Sequence, residues 1–199
     1  MQEYIKVINS LKEIADKEYR SNKRYVVVTT ILSLIVLLFV YFTFFVYTNV
    51  VVDGSSMYAT LENGDVLIAN RKSTPEKGDI VIIDDMLGEG NWIIKRVIAT
   101  GGDKVKIEHG KVYVNGVAIT EPYAYGQTNC NGSYLREGQV ITINENEYFF
   151  LGDNRENSSD SRVFGTAKSE NIVGVVEEWS IKTKEFRNKI YDFFKIERF

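Results

Sequence analysis

The sequence of 199 residues predicts a mainly β domain preceded by one membrane-spanning helix, and three observations carry that expectation. From Tyr25 to Val52 no residue is charged. Beyond Asp53 the pattern changes to short apolar runs separated by Gly-Asp, Asn-Gly and Gly-Gly pairs. Between residues 55 and 180 no run has the length and 3.6-residue spacing of a long helix.

A helix needs about 20 apolar residues to cross a bilayer. The run Thr30-Ile-Leu-Ser-Leu-Ile-Val-Leu-Leu-Phe-Val-Tyr-Phe42 forms the centre of a stretch that exceeds this, with the excess free for tilt or for strand. Tyr41, Phe42, Phe44, Phe45 and Tyr47 gather at its far end, as in an interfacial belt. The exit, Tyr47-Thr-Asn-Val-Val-Val-Asp53, holds no Ala-x-Ala, which favours an uncleaved anchor over a removable leader. Lys17, Arg20, Lys23 and Arg24 precede the span and Asp53 is the first charge after it, so the N-terminus is expected in the cytoplasm and residues 53–199 outside. Residues 1–24 carry six Lys/Arg and four Asp/Glu, a net +2 that leaves −5 for the rest of a chain whose net charge is −3.

The expected organisation is an amphipathic segment at 1–24, with Ile5, Val7, Ile8, Leu11 and Ile14 at helical spacing, and an anchor helix at 25–50. A β domain at 51–181 and an amphipathic tail at 182–199 follow. In the tail Phe186, Ile190, Phe193, Phe194 and Phe199 recur at roughly helical spacing among six basic and three acidic residues. It reads as a helix packed on the domain, or as one lying on anionic lipid.

Within the domain Val66–Ala69, Asp79–Ile83, Trp92–Ile98, Val105–Ile107, Lys111–Val114 and Tyr148–Leu151 read as strands. Asn115-Gly116, between Val112-Tyr-Val and Val117-Ala-Ile, is a type I′ hairpin signal. The strands are expected to form a folded sheet or barrel-like arrangement.

Composition closes off several chemistries. Cys130 and His109 are the single cysteine and histidine, so an internal disulfide, a zinc cluster and a Cys-His pair are excluded, and neither a metal nor a cofactor is expected. With 24 basic and 27 acidic residues nothing suggests a nucleic-acid partner. His109 falls in Ile107-Glu-His-Gly-Lys111, a turn between strands, which disfavours it as a general base.

Three segments stand apart from strand and turn grammar. In Val52-Asp-Gly-Ser-Ser-Met-Tyr-Ala-Thr-Leu61 a turn of small residues places Ser56 three residues past Asp53; taken alone it reads as an ordinary capped turn. In Asn91–Asp103, strand alternation sets Ile93, Lys95 and Val97 on one face and Ile94, Arg96 and Ile98 on the other. A lysine among such neighbours is desolvated, which lowers its pKa and makes the neutral amine available as a general base. The plainer reading is an apolar stem under a solvated head. The third, Gly152–Arg162, packs three serines, two asparagines, two arginines and two aspartates into eleven residues, the composition of a hydrogen-bonded scaffold.

Gly54-Ser-Ser-Met-Tyr-Ala-Thr-Leu61, Gly64-Asp-Val-Leu-Ile68, Lys95-Arg-Val-Ile-Ala-Thr-Gly-Gly-Asp103 and Gly152-Asp-Asn-Arg-Glu-Asn-Ser-Ser-Asp-Ser-Arg162 resemble, in order, the signature boxes of bacterial type I signal peptidases. The likeness runs from the anchor to about Val176. It implies a signal-peptidase-type β domain with a Ser-Lys dyad, working at the outer face of the cytoplasmic membrane as a single-pass protein. Its substrates would be signal peptides of exported preproteins, cut after small residues at −1 and −3. Membrane lipid and the secretion translocon are the implied partners. By the same resemblance Ser56 matches the nucleophile, Lys95 the general base and Ser158 a hydroxyl that bonds and orients the lysine. Asp153, Asp160 and Arg162 match supporting positions, the last two as a pair, and the Ser56 N–H would be an oxyanion donor. The substrate backbone would add as a strand between the stretch before Ser56 and that before Lys95.

Two positions refine the resemblance, and one of them, Ala59, departs from the family pattern. Gly54 stands where some relatives carry a serine that adds a second oxyanion donor, which marks a Gram-positive-like form. Ala59 stands where the family usually has proline, relaxing the backbone just after the nucleophile and bearing on rate or substrate preference. An alternative is a signal-peptidase-like assembly or processing factor for pilin or surface-fibre proteins; retention of Ser56 and Lys95 counts against a catalytically silent form. A self-cleaving Ser-Lys regulator is disfavoured by the anchor.

Overall fold

The computed structural model describes residues 1–84, 91–130 and 132–194, the side chain of Glu3 apart. The chain divides into two units, Met1–Phe45 and Val46–Phe199.

The first unit is a single helix, α1 (Gln2–Tyr41), which closes in a π turn over Phe42–Val46. The N-terminal segment and the apolar run are continuous, with no break near residue 24. Polar side chains in the apolar part satisfy themselves on the preceding turn. The Thr29 hydroxyl donates to Tyr25 O at 2.9 Å, that of Thr30 to Val26 O at 2.8 Å and that of Ser33 to Thr30 O at 2.8 Å. In hydrocarbon, where no water can serve them, that internal pairing is required. By length and composition the helix suffices to cross a membrane once.

The second unit begins with β1 (Tyr47–Val51), so the last residues of the expected anchor helix are strand. Periodicity cannot separate the two in a continuous apolar run. Here β-branched Thr48, Val50 and Val51 pair with a neighbouring strand instead of extending the helix. The other strands are β2 (Val66–Asn70), β3 (Ile80–Ile83), β4 (Ile93–Thr100), β5 (Lys104–Glu108), β6 (Lys111–Val114), β7 (Val117–Ala118), β8 (Val140–Thr142), β9 (Glu147–Leu151), β10 (Ala167–Lys168) and β11 (Ile172–Val176). Three short helices complete the unit: α2 (Ser161–Phe164), α3 (Glu178–Lys182) and α4 (Lys184–Phe194).

Seven strands form one antiparallel sheet in the order β1-β2-β11-β3-β4-β9-β10, and four form a second in the order β7-β6-β5-β8. The expected mainly β class is therefore observed. All six strands read from the sequence are present, and the Asn115-Gly116 turn has positive φ at both residues (53° and 82°), as a type I′ turn requires. His109 sits exposed in the β5–β6 turn.

β11 carries no strand expectation, yet it lies between β2 and β3 in the interior of the large sheet. Its run is interrupted by Gly174, which signals a weak strand. The interruption has a use: a Cβ there would lie 3.0 Å from Asn70 O, and the register with β3 shifts beside it.

β3 shows how the core divides. Ile80 and Ile82 enter a cluster with Val50, Val52, Met57, Leu61 and Ile94, whereas Val81 and Ile83 enter another with Val97, Phe150 and Val175. A third cluster joins the small sheet to Phe149 and Leu151 of β9. The segment after β1 is thus clamped by Val52, Met57 and Leu61, each under 5 % exposed. Buried apolar side chains on both sides of Ser56 fix where its turn lies.

The tail of 182–199 folds as α4, directly after α3, with 195–199, including Phe199, outside the described residues. α4 meets β2 through polar groups: the Lys184 amine reaches Asp65 at 2.7 Å, the Asn188 amide reaches Asp65 at 2.8 Å and the Arg187 guanidinium reaches Val66 O at 2.9 Å. Its apolar residues Phe186, Phe193 and Phe194 are exposed.

Candidate active site

Ser56 lies in the turn that follows β1, half-buried over Met57 and Leu61. Lys95 lies on β4 and is 3 % exposed, in register with the fully buried Val81 of β3. The two side chains meet. The Lys95 amine donates to Ser56 Oγ at 2.7 Å and to Ile94 O at 3.1 Å. Burial is the main cause that pushes Lys95 down, to about 8. The charge of Asp160 holds it up, Arg162 lowers it further, and Asp153 again raises it. Two unlike environments therefore converge on one contact, a hydroxyl on a wet turn and an amine stripped of water.

The Gly152–Arg162 loop packs against both. A Cβ on Gly152 would fall 2.2 Å from Ser158 Oγ and 2.5 Å from Ser56 O, so this backbone approach admits only glycine. Asp160 holds the loop: it accepts from the Gly152 N–H at 3.0 Å and pairs with Arg162 Nε at 2.8 Å and Nη2 at 2.8 Å, as expected from the sequence. Arg162 continues to Asn129 O and Ser158 O. Asp153 receives Arg96 through two hydrogen bonds, of 2.8 and 2.6 Å, and the Thr60 hydroxyl at 2.6 Å. One carboxylate thereby ties the residue after the lysine to the turn after the serine.

Ser158 differs from its expected place. Its hydroxyl is buried and makes no hydrogen bond among the described residues, so the bond to Lys95 is not formed here. The Lys95 amine points to Ser56 and Ile94 instead.

Several contributors were not singled out from the sequence. Arg96 neighbours the lysine and stacks on the Tyr123 ring at 3.9 Å. Tyr123, held up to about 12 first by burial and then by Glu121, stands over Arg96. Arg155, 1 % exposed, pairs with Glu121 and donates to Thr128 and to Gly152 O. Asn154 and Asn157 bond the Ser55 carbonyl and hydroxyl. The asparagines and Arg155 lie inside the polar box, so composition marked the loop but not the partners, which come from distant positions.

A cleft of about 370 Å³ opens beside the dyad between Asn49–Met57 and Asn91–Lys95. β1 is the end strand of the sheet, and β9 pairs with β4 only from Arg96 onward. The cleft is therefore walled by two strand edges. Among the described residues no group of His, Cys, Asp and Glu could hold a metal ion.

Residues 23–180 match the family model described as signal peptidase, peptidase S26. The chain belongs to this family. Signal peptidase I of Bacillus caldolyticus is 36% identical over 156 residues, covering 72% of this chain and 85% of the relative. Signal peptidase IB of Staphylococcus aureus is 33% identical over 148 residues, covering 66% and 76%. A crystal structure of a signal peptidase I from Enterococcus faecalis matches with a TM-score of 0.44 at 29% identity, over 53% of this chain and 98% of that one. Membership of the signal peptidase family makes the chain a serine peptidase, and α1 fits a protein that crosses the membrane once.

Proposed function

We propose that the chain cleaves signal peptides from exported preproteins, with Ser56 as nucleophile and Lys95 as general base. The observation that carries this reading is the 2.7 Å contact between Ser56 Oγ and a buried amine lowered to about 8. A neutral lysine accepts the Ser56 proton as the hydroxyl oxygen bonds to the scissile carbonyl carbon, whose π electrons move to its oxygen. The Ser56 N–H supports that oxyanion. Collapse breaks the C–N bond, and the lysine returns its proton to the leaving amine. Water then gives a proton to the same lysine as it attacks the acyl carbon; collapse breaks the C–Oγ bond, the lysine returns that proton to Ser56 Oγ, and the signal peptide leaves with a new carboxyl terminus.

The cleft between β1 and β4 suits an extended backbone added as a strand, with small residues at −1 and −3 over its apolar floor. Asp153, Asp160 and Arg162 keep the loop and the lysine field in place. Ser158 orients the amine by turning its unpaired hydroxyl toward it, since a buried hydroxyl without a partner costs about 1–3 kcal/mol. The organisation follows: segment 1–24 in the cytoplasm, anchor, peptidase domain outside, and a tail whose exposed phenylalanines lie on lipid. The translocon delivers the substrate. Lys17, Arg20, Lys23 and Arg24 before the span support this orientation.

The test is cleavage of a preprotein by the detergent-solubilised full chain, with product mass giving the cut site. Ser56→Ala and Lys95→Ala should each abolish it; substantial activity in either refutes the dyad.

A further inference from the structure

We infer that Asn154 is a positioning residue that holds the oxyanion-binding peptide in its working orientation; the inference rests on Ser56 being the nucleophile. Asn154 grips both peptide units that flank the Ser56 Cα. Its side-chain amide donates to Ser55 O at 3.0 Å, and its own N–H donates to Ser56 O at 3.0 Å. In a planar trans peptide the C=O and the following N–H point in opposite directions. A donor on Ser55 O therefore aims the Ser56 N–H the other way. That N–H has no hydrogen-bond acceptor among the described residues. The Tyr58 N–H also reaches Ser55 O, at 3.1 Å, and makes the turn locally favourable. Only the Asn154 amide comes from a separate part of the fold.

The consequence is larger here than it would be with a side-chain hydroxyl as a second donor. Gly54 supplies no hydroxyl, so oxyanion stabilisation at this turn hangs on the orientation of the Ser55–Ser56 peptide. If that peptide rotates, a carbonyl replaces the N–H and repels the developing charge. Asn157 steadies the same turn from the side, donating to Ser55 Oγ at 2.8 Å, and its N–H bonds Asn154 O at 3.1 Å. The clamp and the lysine-orienting groups thus share one loop but act on different halves of the reaction.

The test uses the full chain in detergent micelles, with wild type, Asn154→Ala, Asn154→Asp and Ser56→Ala. Three readouts are compared: steady-state cleavage of a preprotein, inhibition by a peptide aldehyde, and binding of the cleaved product peptide. The aldehyde is attacked by Ser56, whose oxygen bonds the carbonyl carbon while its proton passes to Lys95, leaving an oxyanion-like adduct. Asn154→Ala should lower kcat about tenfold, the loss of one hydrogen bond, with KM and product binding unchanged. Aldehyde affinity should fall by the same factor, and the acidic limb of the pH profile should stay near the lysine value. Asn154→Asp keeps the size but offers an acceptor to Ser55 O, so it should lose at least as much. Both variants retain the backbone bond to Ser56 O. A kcat loss without a matching loss of aldehyde affinity, or a rise in KM with lowered Tm, overturns the clamp. An unchanged kcat with Ser56→Ala inactive also overturns the clamp, leaving the nucleophile intact. Full cleavage by Ser56→Ala removes both.

Discussion

Replacing Lys95 by methionine should abolish activity and yet make the protein more stable at neutral pH. The amine falls from the ordinary 10.5 to about 8 on folding, chiefly because burial disfavours its charge. At 1.36 kcal/mol per unit, that shift is a penalty of about 3 kcal/mol wherever both folded and unfolded states carry the proton, below about pH 8. Methionine fills similar space without charge but loses the bonds to Ile94 O and Ser56 Oγ, about 1 kcal/mol each. The variant should therefore gain about 1 kcal/mol at pH 7. The sign then changes with pH. Between about 8 and 10.5 the unfolded chain binds the proton and the folded one does not, so wild-type stability rises by about 1.4 kcal/mol per unit relative to the variant. Above 10.5 both states are neutral and the penalty is gone, leaving the wild type ahead by the two hydrogen bonds. Urea unfolding of both proteins in micelles, followed by Trp92 and Trp179 fluorescence from pH 7 to 11, reads the difference directly, and groups common to both cancel. A gap that does not depend on pH, or a methionine variant less stable at pH 7, would sink the claim that burial sets the lysine's pKa.

Wild-type kcat/KM should rise with pH through an acidic limb near 8, as the amine loses its proton; Asp160→Asn should move that limb lower, because it removes an attractive charge and frees the Arg162 cation. A limb that stays or rises in a pH–rate series refutes the field argument. Gly152→Ala should lower kcat by about a hundredfold, since overpacking of 1–3 kcal/mol falls on Ser158 and on the Ser56 carbonyl together; wild-type kcat in this variant would show that the loop yields. Arg155→Met should cost about 3 kcal/mol in urea unfolding by leaving the half-buried Glu121 without its guanidinium, and a change below about 1 kcal/mol would show that the pair breaks even.

Elements with an unbroken local signal were legible from the sequence: the six strands, the Asn115-Gly116 turn and the apolar helix. β1 and β11 were not, for opposite physical reasons. β1 continues an apolar run without punctuation, and only its pairing with β2 makes it a strand. β11 is interrupted by the glycine that lets Asn70 come close. At the site, residue types alone left Ser56 and Lys95 with ordinary readings, and the resemblance of the ordered boxes to a known family singled them out together with Asp160 and Arg162. Pairings across the chain stayed hidden, because no spacing rule links Asp153 to Thr60 and Arg96, or Glu121 to Arg155. The unbonded Ser158 hydroxyl was hidden as well. Its motif matches an orienting group, but a side chain's rotamer is not written in its neighbours.

The gap between β1 and the first half of β4 makes the large sheet a structure with one member missing. Asn49 to Val51 and Ile93 to Lys95 line it with strand backbone, and among the described residues neither stretch pairs with a strand on that side. If the substrate adds there as an extended strand, as proposed, it is held mainly through atoms every peptide possesses, whatever its side chains. Tolerance of unlike sequences is then a property of the absent strand, and discrimination is left to the few side chains that point down at the floor. A catalyst for one sequence would need a complete pocket; a catalyst for many can be built by leaving a sheet unfinished.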